Sequence, residues 1–142
     1  MSDRLDLFDT LVRAQIELWN AVAERVRDDC GVPLGRIEIL RVLDERGGSA
    51  RVVDIAEDLV ITVGAASKLT DRAEASGHVS RRANPDDRRS SFVELTFPGR
   101  ILLNQGVAAM EAELADRLAS VSAAHQDALL DALIEVREGR RS

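Results

Sequence analysis

The sequence predicts a mainly α-helical fold in which one short β-hairpin interrupts a series of helices. Three observations lead to this prediction. Apolar residues recur at helical spacing over most of the 142 residues. Joints containing glycine or proline divide these stretches, at 31–33, 47–49 and 77. Only between residues 78 and 95 does the apolar pattern shorten to the partial alternation that is typical of strands.

Composition limits the classes of protein to consider. The chain is 45% hydrophobic and 31% charged, a balance typical of one globular domain, here residues 1–142. No apolar run reaches the roughly 20 residues that span a bilayer, and the acidic N-terminus lacks the features of a signal peptide. The single cysteine, Cys30, excludes an intramolecular disulfide framework. We therefore expect a cytoplasmic protein with no membrane partner.

Two helices open the chain. The first is predicted over 3–29, where apolar residues recur every three or four positions, and Gly31 and Pro33 end it. The second is predicted at about 34–46, before the break at Gly47-Gly48.

The next two helices form a helix-turn-helix. A short helix at 53–59 leads to Thr62, which is a suitable N-cap for a helix over 63–76, and Gly77 ends that helix. The inner face of the second helix consists of Ala66, Leu69 and Ala73. A turn of about three residues between two short helices is typical of a helix-turn-helix.

A wing and two long helices complete the chain. Residues 78–82 and 91–95 read as two strands around a polar turn at 83–90, and this two-stranded hairpin after a helix-turn-helix is a wing. Thr96 caps a helix at about 98–119, with Pro98 in its first turn, and Ser122 caps the last helix at about 123–138.

The first helix and the last two carry wide apolar stripes. One small winged helix-turn-helix cannot cover them, and the simplest further partner is a second copy of the chain. We therefore expect a homodimer in which 34–97 form a DNA-binding lobe, while 1–33 and 98–142 form dimerisation helices that flank it.

The charge distribution favours a local contact with a polyanion. The net charge is −6, yet residues 62–100 hold seven basic and five acidic side chains and are the only net-positive third. Arginines cluster there, at Arg81, Arg82, Arg88 and Arg89. An acidic body with one basic segment fits a DNA-binding protein, although a solvated charged hairpin has the same composition.

Three segments carry a resemblance to a known family. They are LTDRAEASGHV at 69–79, NPDDRRS at 84–90 and VELT at 93–96. In this order they resemble the L-V-D-R-L-E-x-x-G-L-V, D-x-R and L-T patterns of the MarR family (multiple antibiotic resistance regulators). The resemblance covers nearly the whole chain and implies a dimeric transcription regulator, usually a repressor. Many members release DNA when they bind a small phenolic ligand or sense an oxidant.

The resemblance implies a surface for double-stranded DNA. The second helix of the helix-turn-helix would enter the major groove, where Ser67 and Lys68 can bond bases or phosphates. Thr62 and the N–H groups beside it suit a phosphate. The predicted DNA-binding residues are Thr62, Val63, Gly64, Ser67, Lys68, Arg72, Asp87, Arg88 and Arg89.

The wing residues have separate implied roles. Asp87 and Arg89 match the D-x-R pattern, by which Arg89 would reach into the minor groove and Asp87 would orient its guanidinium. Arg88 would contact a phosphate. Where many family members carry Ser, Arg, Pro and Thr, this chain has Val63 and Gly64 with Ala65, so apolar contact with thymine methyls, or DNA shape, would carry more of the specificity.

An effector site is implied between the dimerisation helices and the lobe. Arg13, Gln15, Trp19 and Arg41 could supply an aromatic wall and polar anchors for a small aromatic or phenolic ligand, although a tryptophan such as Trp19 more often belongs to a core than to a pocket. The two histidines lack cysteine or carboxylate partners at ligand spacing, so we expect no metal and no cofactor.

These observations predict a DNA-binding regulator and not an enzyme. It would act as a homodimeric repressor on a pseudo-palindromic operator, in the cytoplasm and associated with the nucleoid. One alternative is a winged-helix protein-interaction module with little DNA affinity. Another is a redox switch built on Cys30, which Asp28 and Asp29 disfavour because nearby carboxylates raise the pKa of a thiol.

Overall fold

Six helices and three short strands make up residues 3–87 and 90–139, the part of the chain that this computed structural model describes. In chain order they are α1 (Asp3–Cys30), α2 (Leu34–Glu45), β1 (Ser49–Arg51), α3 (Val52–Leu59), α4 (Val63–Ala75), β2 (Val79–Ala83), β3 (Ser91–Leu95), α5 (Phe97–Arg117) and α6 (Ala123–Glu138). The mainly helical class and the helix-turn-helix followed by a hairpin are confirmed.

The sheet contains one strand more than the predicted hairpin. The strand order is β1-β3-β2, and both neighbours of β3 are antiparallel to it. Ala50 of β1 and Arg81 of β2 flank Val93 of β3 from opposite sides. Three residues are too few to show a strand period, so β1 is recognisable only through its pairing with β3.

The second helix lies at the centre of the core. Seven of the twelve residues of α2 are buried, and Ile37, Leu40 and Leu43 are fully enclosed. α5 packs against this helix so closely that a Cβ on Gly106 would overlap the side chain of Ile37. Because interiors are packed as densely as organic crystals, the contact between α5 and α2 requires glycine at this position.

A capped joint connects the helix-turn-helix to α5. The Thr96 hydroxyl donates to the carbonyl oxygen of Gly77 at 2.7 Å and accepts from the N–H of Gly99 at 3.1 Å. A Cβ on Gly99 would overlap the carbonyl oxygen of His78. The start of α5 is therefore held against the end of the DNA-binding lobe, as the predicted cap at Thr96 requires.

The first and last helices leave apolar side chains uncovered. In α1 only Ala21, Val22 and Val26 are buried, and no residue of α6 is buried. The exposed large apolar residues of these helices are Leu5, Leu7, Phe8, Leu11, Val12, Ile16, Trp19, Leu129, Leu130, Ile134 and Val136. Within residues 3–87 and 90–139, no helix is both long and apolar enough to cross a membrane.

Candidate nucleic-acid interface

The position of α4 is set by its small, buried inner face. Ala66 and Ala73 are fully buried, and the Thr70 hydroxyl donates to the carbonyl oxygen of Ala66 at 2.8 Å. Leu69 packs against α2, where a Cβ on Gly35 would lie 3.1 Å from Leu69 Cδ2. The inner face predicted from sequence is thus confirmed, and it turns the opposite face of α4 towards solvent.

The N-terminus of α4 is capped as predicted. The Oγ1 of Thr62 accepts from the N–H of Ala65 at 3.1 Å. Helix geometry leaves the N–H groups of Val63 and Gly64 without acceptors inside the helix, so they point out of the helix start towards solvent or a ligand. This is the arrangement in which a helix N-terminus can bind a phosphate.

The solvent face of α4 carries most of the predicted major-groove residues. Gly64 and Lys68 lie one turn apart and are exposed, and Val63 and Arg72 are also exposed. Ser67 is half-buried, so less of its hydroxyl reaches outward than the sequence suggests. Among the described residues, no carboxylate forms an ion pair with Lys68 or Arg72.

The two described arginines of β2 are already paired within the lobe. Arg81 donates to Asp71 at 2.7 Å and to Glu74 at 2.8 Å, and these bonds to α4 raise the pKa of its guanidinium. Arg82 donates to Glu94 and its guanidinium lies 4.9 Å from the centre of the Phe92 ring. The sequence suggests phosphate contacts for both, whereas their positive charges are largely balanced by neighbouring carboxylates.

The tip of the wing is described only in part. Asp86 N–H donates to the side-chain oxygen of Asn84 at 3.0 Å, which forms the predicted polar turn, and Asp87 is exposed. Asp87 lies close enough to Arg51 to add to the increase in the pKa of that guanidinium, which comes chiefly from Asp54. Arg88 and Arg89 lie outside the described residues, so their predicted contacts with DNA stay predictions.

A buried arginine and a histidine meet where α4 ends and β2 begins. Arg36 is only 9% exposed, and its Nη1 lies 3.1 Å from Nδ1 of His78. Burial and, to a smaller extent, Arg72 lower the pKa of Arg36; burial and then Arg36 lower the pKa of His78. This pair is not predicted from the sequence, in which the one local signal is an arginine among the apolar positions of α2.

The four predicted effector residues are not gathered in one place within the chain. Arg41 lines a cleft of about 280 Å³ between α2 and α5, together with Asp44, Glu45, Leu103, Asn104 and Val107. Arg41 donates to Glu38 at 2.7 Å. Arg13, Gln15 and Trp19 lie on the exposed half of α1 and do not line this cleft.

The residues considered for other chemistry are structural in character. Cys30 is half-buried against the core, and burial, followed by the charge of Asp29, raises the pKa of its thiol. A thiol with a raised pKa holds little of the reactive thiolate. Residues 3–87 and 90–139 contain no group of three His, Cys, Asp or Glu residues that could hold a metal ion.

Comparisons with known proteins agree with this geometry. A family model described as "MarR family" matches residues 32–91. The "Uncharacterized HTH-type transcriptional regulator YdgJ" of Bacillus subtilis (strain 168) is 32% identical over 110 residues. That alignment covers 75% of this chain and 65% of YdgJ, so the chain spans just under two thirds of this curated relative. Neither the family nor YdgJ is described as an enzyme.

Two solved structures share the fold. Sco3205, a MarR family transcriptional regulator from Streptomyces coelicolor in complex with DNA, matches with a TM-score of 0.86 at 22% identity and covers 98% of this chain and 89% of its own. The organohalide-sensing transcriptional regulator RdhR in the 2,4-dichlorophenol-bound form matches with a TM-score of 0.86 at 15% identity, over 98% of this chain and 82% of its own. At these identities the likeness shows a common fold.

Proposed function

The chain belongs to the MarR family, and from this premise we propose that it is a homodimeric regulator of transcription that binds double-stranded DNA. Each protomer places α4 in a major groove of a pseudo-palindromic operator, and the half-sites lie about one helical turn apart. The bound protein blocks access of polymerase to the DNA and therefore acts as a repressor. It works where the chromosome lies, in the cytoplasm.

One observation carries this proposal: α4 has a fully buried inner face and an outer face that nothing in the lobe covers. Ala66 and Ala73 fix the helix, while Gly64, Lys68 and Arg72 stand outward beside the β2–β3 hairpin. A helix held by its neighbours with an open N-terminal face can enter a groove without rearranging the fold. Lys68 and Arg72, the two cations of this helix, form no ion pair with a described carboxylate.

The homodimer is supported by the apolar surface of α1 and α6. Phe8 of α1 and Leu130 of α6 are more than half exposed, and they belong to stripes that run along both helices. Continuous exposed apolar stripes of this size are typical of an interface. A second copy offers the same stripes, and two-fold symmetry then matches the two half-sites of the operator.

The cleft at Arg41 supports a small aromatic or phenolic effector. Its volume of about 280 Å³ is near the lower end of ligand pockets and fits a single ring with substituents. RdhR is described with 2,4-dichlorophenol bound, so the same fold can accept a ligand of this class. We propose that Arg41 anchors the ligand and that Arg13, Gln15 and Trp19, which do not line the cleft within one chain, complete the site when the dimer forms.

The proposal is tested by selection of binding sequences. Duplex DNA with a random central segment is enriched on the purified chain, and affinity for the selected duplex is measured by fluorescence anisotropy over a salt series. We expect two similar half-sites and an affinity that falls steeply with salt, because phosphate contacts release counterions. Sedimentation of the complex gives two chains per duplex.

A matched pair of variants locates the interface. Lys68→Ala removes an exposed cation from α4, whereas Arg117→Ala removes one at the far end of α5, about 30 Å along that helix from the wing. Lys68→Ala weakens binding about tenfold and lowers the salt slope by about one, and Arg117→Ala changes neither. Equal effects of the two variants would contradict the placement of α4 in the groove.

A second candidate follows from the paired arginines of β2. Since Asp71 and Glu74 already neutralise Arg81, the lobe offers DNA fewer cations than the sequence suggests. A protein-interaction module with little DNA affinity would have such a surface. Failure of the selection to enrich any duplex would favour this candidate.

A further inference from the structure

The first turn of α4 presents three side chains that cannot form hydrogen bonds. Val63 is 52% exposed, Gly64 and Ala65 are exposed, and these three residues are called the tip below. The hydroxyl of Thr62 is engaged by the N–H of Ala65, and Ser67 is half-buried. The first fully exposed polar side chain that follows the tip is Lys68, one turn inside the helix.

Gly64 at the centre of the tip is not required by the fold. A Cβ at this position would meet only Thr62 Oγ1, at 4.0 Å, and the residue has no positive φ. Glycine inside a helix costs about 1 kcal/mol relative to alanine. By contrast, Gly106 is needed where α5 touches Ile37. Glycine at this position leaves the helix backbone open to close approach by a ligand.

Val63 and Ala65 flank Gly64 on the surface of the helix. In a helix, successive residues are rotated by about 100°, so Val63 and Ala65 point away from Gly64 towards opposite sides of the helix. The backbone at Gly64 is therefore open, with an apolar side chain at each flank. A base edge that carries a methyl group fits such a surface better than an edge that carries only donors and acceptors.

We propose that the tip reads thymine by packing against its C5-methyl group, an inference that rests on the proposed function and names the base feature that this chain recognises. Thymine alone presents a methyl group in the major groove. Cytosine and guanine would bring polar atoms against Val63 and Ala65, and a buried polar atom without a partner is costly. The tip therefore selects thymine at the one or two positions of each half-site that it faces.

The test removes the methyl group from the DNA. A duplex selected on the wild-type chain is resynthesised with single thymines replaced by deoxyuridine, which keeps base pairing and every hydrogen-bonding group. At the positions that face the tip, we expect binding to weaken about three- to fivefold, the value of one lost methyl contact. Deoxyuridine elsewhere in the half-site leaves affinity unchanged.

Variants connect this effect to the tip. Val63→Ala lowers the affinity for thymine DNA and abolishes the difference between thymine and deoxyuridine. Val53→Ala is the matched control, because Val53 is exposed to a similar extent, 48%, on the preceding helix of the same lobe. Val53→Ala should keep the full difference in affinity between thymine DNA and deoxyuridine DNA.

Gly64→Ala separates a binding role from a structural one. If Gly64 had a structural role, its replacement would lower both the stability of the fold and the affinity for DNA. We expect the melting temperature to stay or rise, because alanine favours the helix, while DNA binding weakens about tenfold because the added methyl covers the open backbone.

The outcomes are distinct. Tight binding to selected DNA without any sensitivity to deoxyuridine overturns the reading of thymine and leaves the proposed function intact. Loss of stability in Gly64→Ala overturns the role given to that glycine. Enrichment of no duplex at all overturns the proposed function and this inference with it.

Discussion

Nη1 of Arg36 lies 3.1 Å from Nδ1 of His78, so the first turn of α2 is joined to the point where α4 gives way to the wing. A guanidinium can only donate, and His78 therefore accepts at Nδ1 and carries its own hydrogen on Nε2. Arg72 adds a second positive charge on the exposed side of α4. A proton on His78 would break the bond and place two cations in contact.

Acid should therefore weaken the lobe through His78. Its pKa is lowered in the fold from the ordinary 6.5, by burial and then by Arg36, so the unfolded chain takes up the proton first. The contribution of neutral His78 to the free energy of unfolding is fully present above pH 6.5 and is lost as the pH falls through the lowered pKa of His78. Urea unfolding of the wild type at pH 7.5 and at lower pH measures this loss. In His78→Gln, which accepts from Arg36 at every pH, the loss should be smaller.

His125 provides the control for this titration. It lies exposed on α6, far in sequence from the lobe, and the His125→Gln variant should keep the pH dependence of the wild type. The same acid sensitivity in wild type and His78→Gln would assign it to other groups.

Val60 is held in a conformation that suits glycine. Its φ is 56° and its ψ is 50°, at the end of α3, and the side chain is 76% exposed. The left-handed region costs a β-branched residue about 1–2 kcal/mol, and an exposed side chain regains little of this by packing. We expect Val60→Gly to raise the free energy of unfolding by up to about 1 kcal/mol, after the entropy of glycine in the unfolded chain is subtracted.

Ile61 serves as the comparison for Val60. It is the next residue in the same turn but has no positive φ, so Ile61→Gly should destabilise the protein. Urea midpoints of both variants against wild type check the two signs. A fall in the midpoint of Val60→Gly would mean that the valine makes contacts worth more than the strain.

Arg81 holds the wing to α4 and masks two carboxylates. Removing it leaves Asp71 and Glu74 without their partner on the lobe that meets phosphate. Both pairs are partly exposed, so Arg81→Ala should cost less than about 1 kcal/mol of stability. DNA affinity should fall about tenfold at low salt, because the exposed carboxylates repel the backbone.

The repulsion can be tested by removing one of the carboxylates. In Arg81→Ala/Glu74→Gln, part of the lost affinity should return, and in both variants the defect should shrink as salt is raised. Anisotropy titrations at two salt concentrations give both results. A defect that is unaffected by Glu74→Gln would point instead to a direct phosphate contact by Arg81.

Gly106 is the point of closest approach between α5 and α2. A Cβ there would overlap Ile37, whose side chain is fully buried. We expect Gly106→Ala to destabilise the protein by about 2 kcal/mol even though alanine favours a helix. Thermal or urea unfolding measures the loss.

A second substitution tests the cause. Ile37→Val removes Cδ1, the Ile37 atom nearest to the added Cβ, so the cost of Gly106→Ala/Ile37→Val should be smaller than the sum of the two single costs. Strict additivity would mean that the two residues do not meet.

Local patterns of residues are enough to predict the helices and most of their ends. Thr62, Thr96 and Ser122 each accept the N–H three residues later, as their positions before an apolar stretch predict. The wing strands and the inner face of α4 follow in the same way from period and spacing. The caps and the helix face depend on residues within about four positions of each other, and the strands show their alternation locally, so both kinds of pattern are visible in the sequence.

Contacts between distant parts of the chain depend on how the elements pack together. β1 forms by pairing with β3, and Arg36 contacts His78, which lies 42 residues further along the chain. Arg81 binds carboxylates of α4 and is thereby turned away from solvent. A cluster of arginines in the sequence indicates positive charge, but its net effect depends on the carboxylates that packing brings near. The spacing of apolar residues determines where helices and strands form, whereas pairs of distant residues form when these elements pack around α2. A single short strand or a single ion pair leaves no periodic pattern in the sequence.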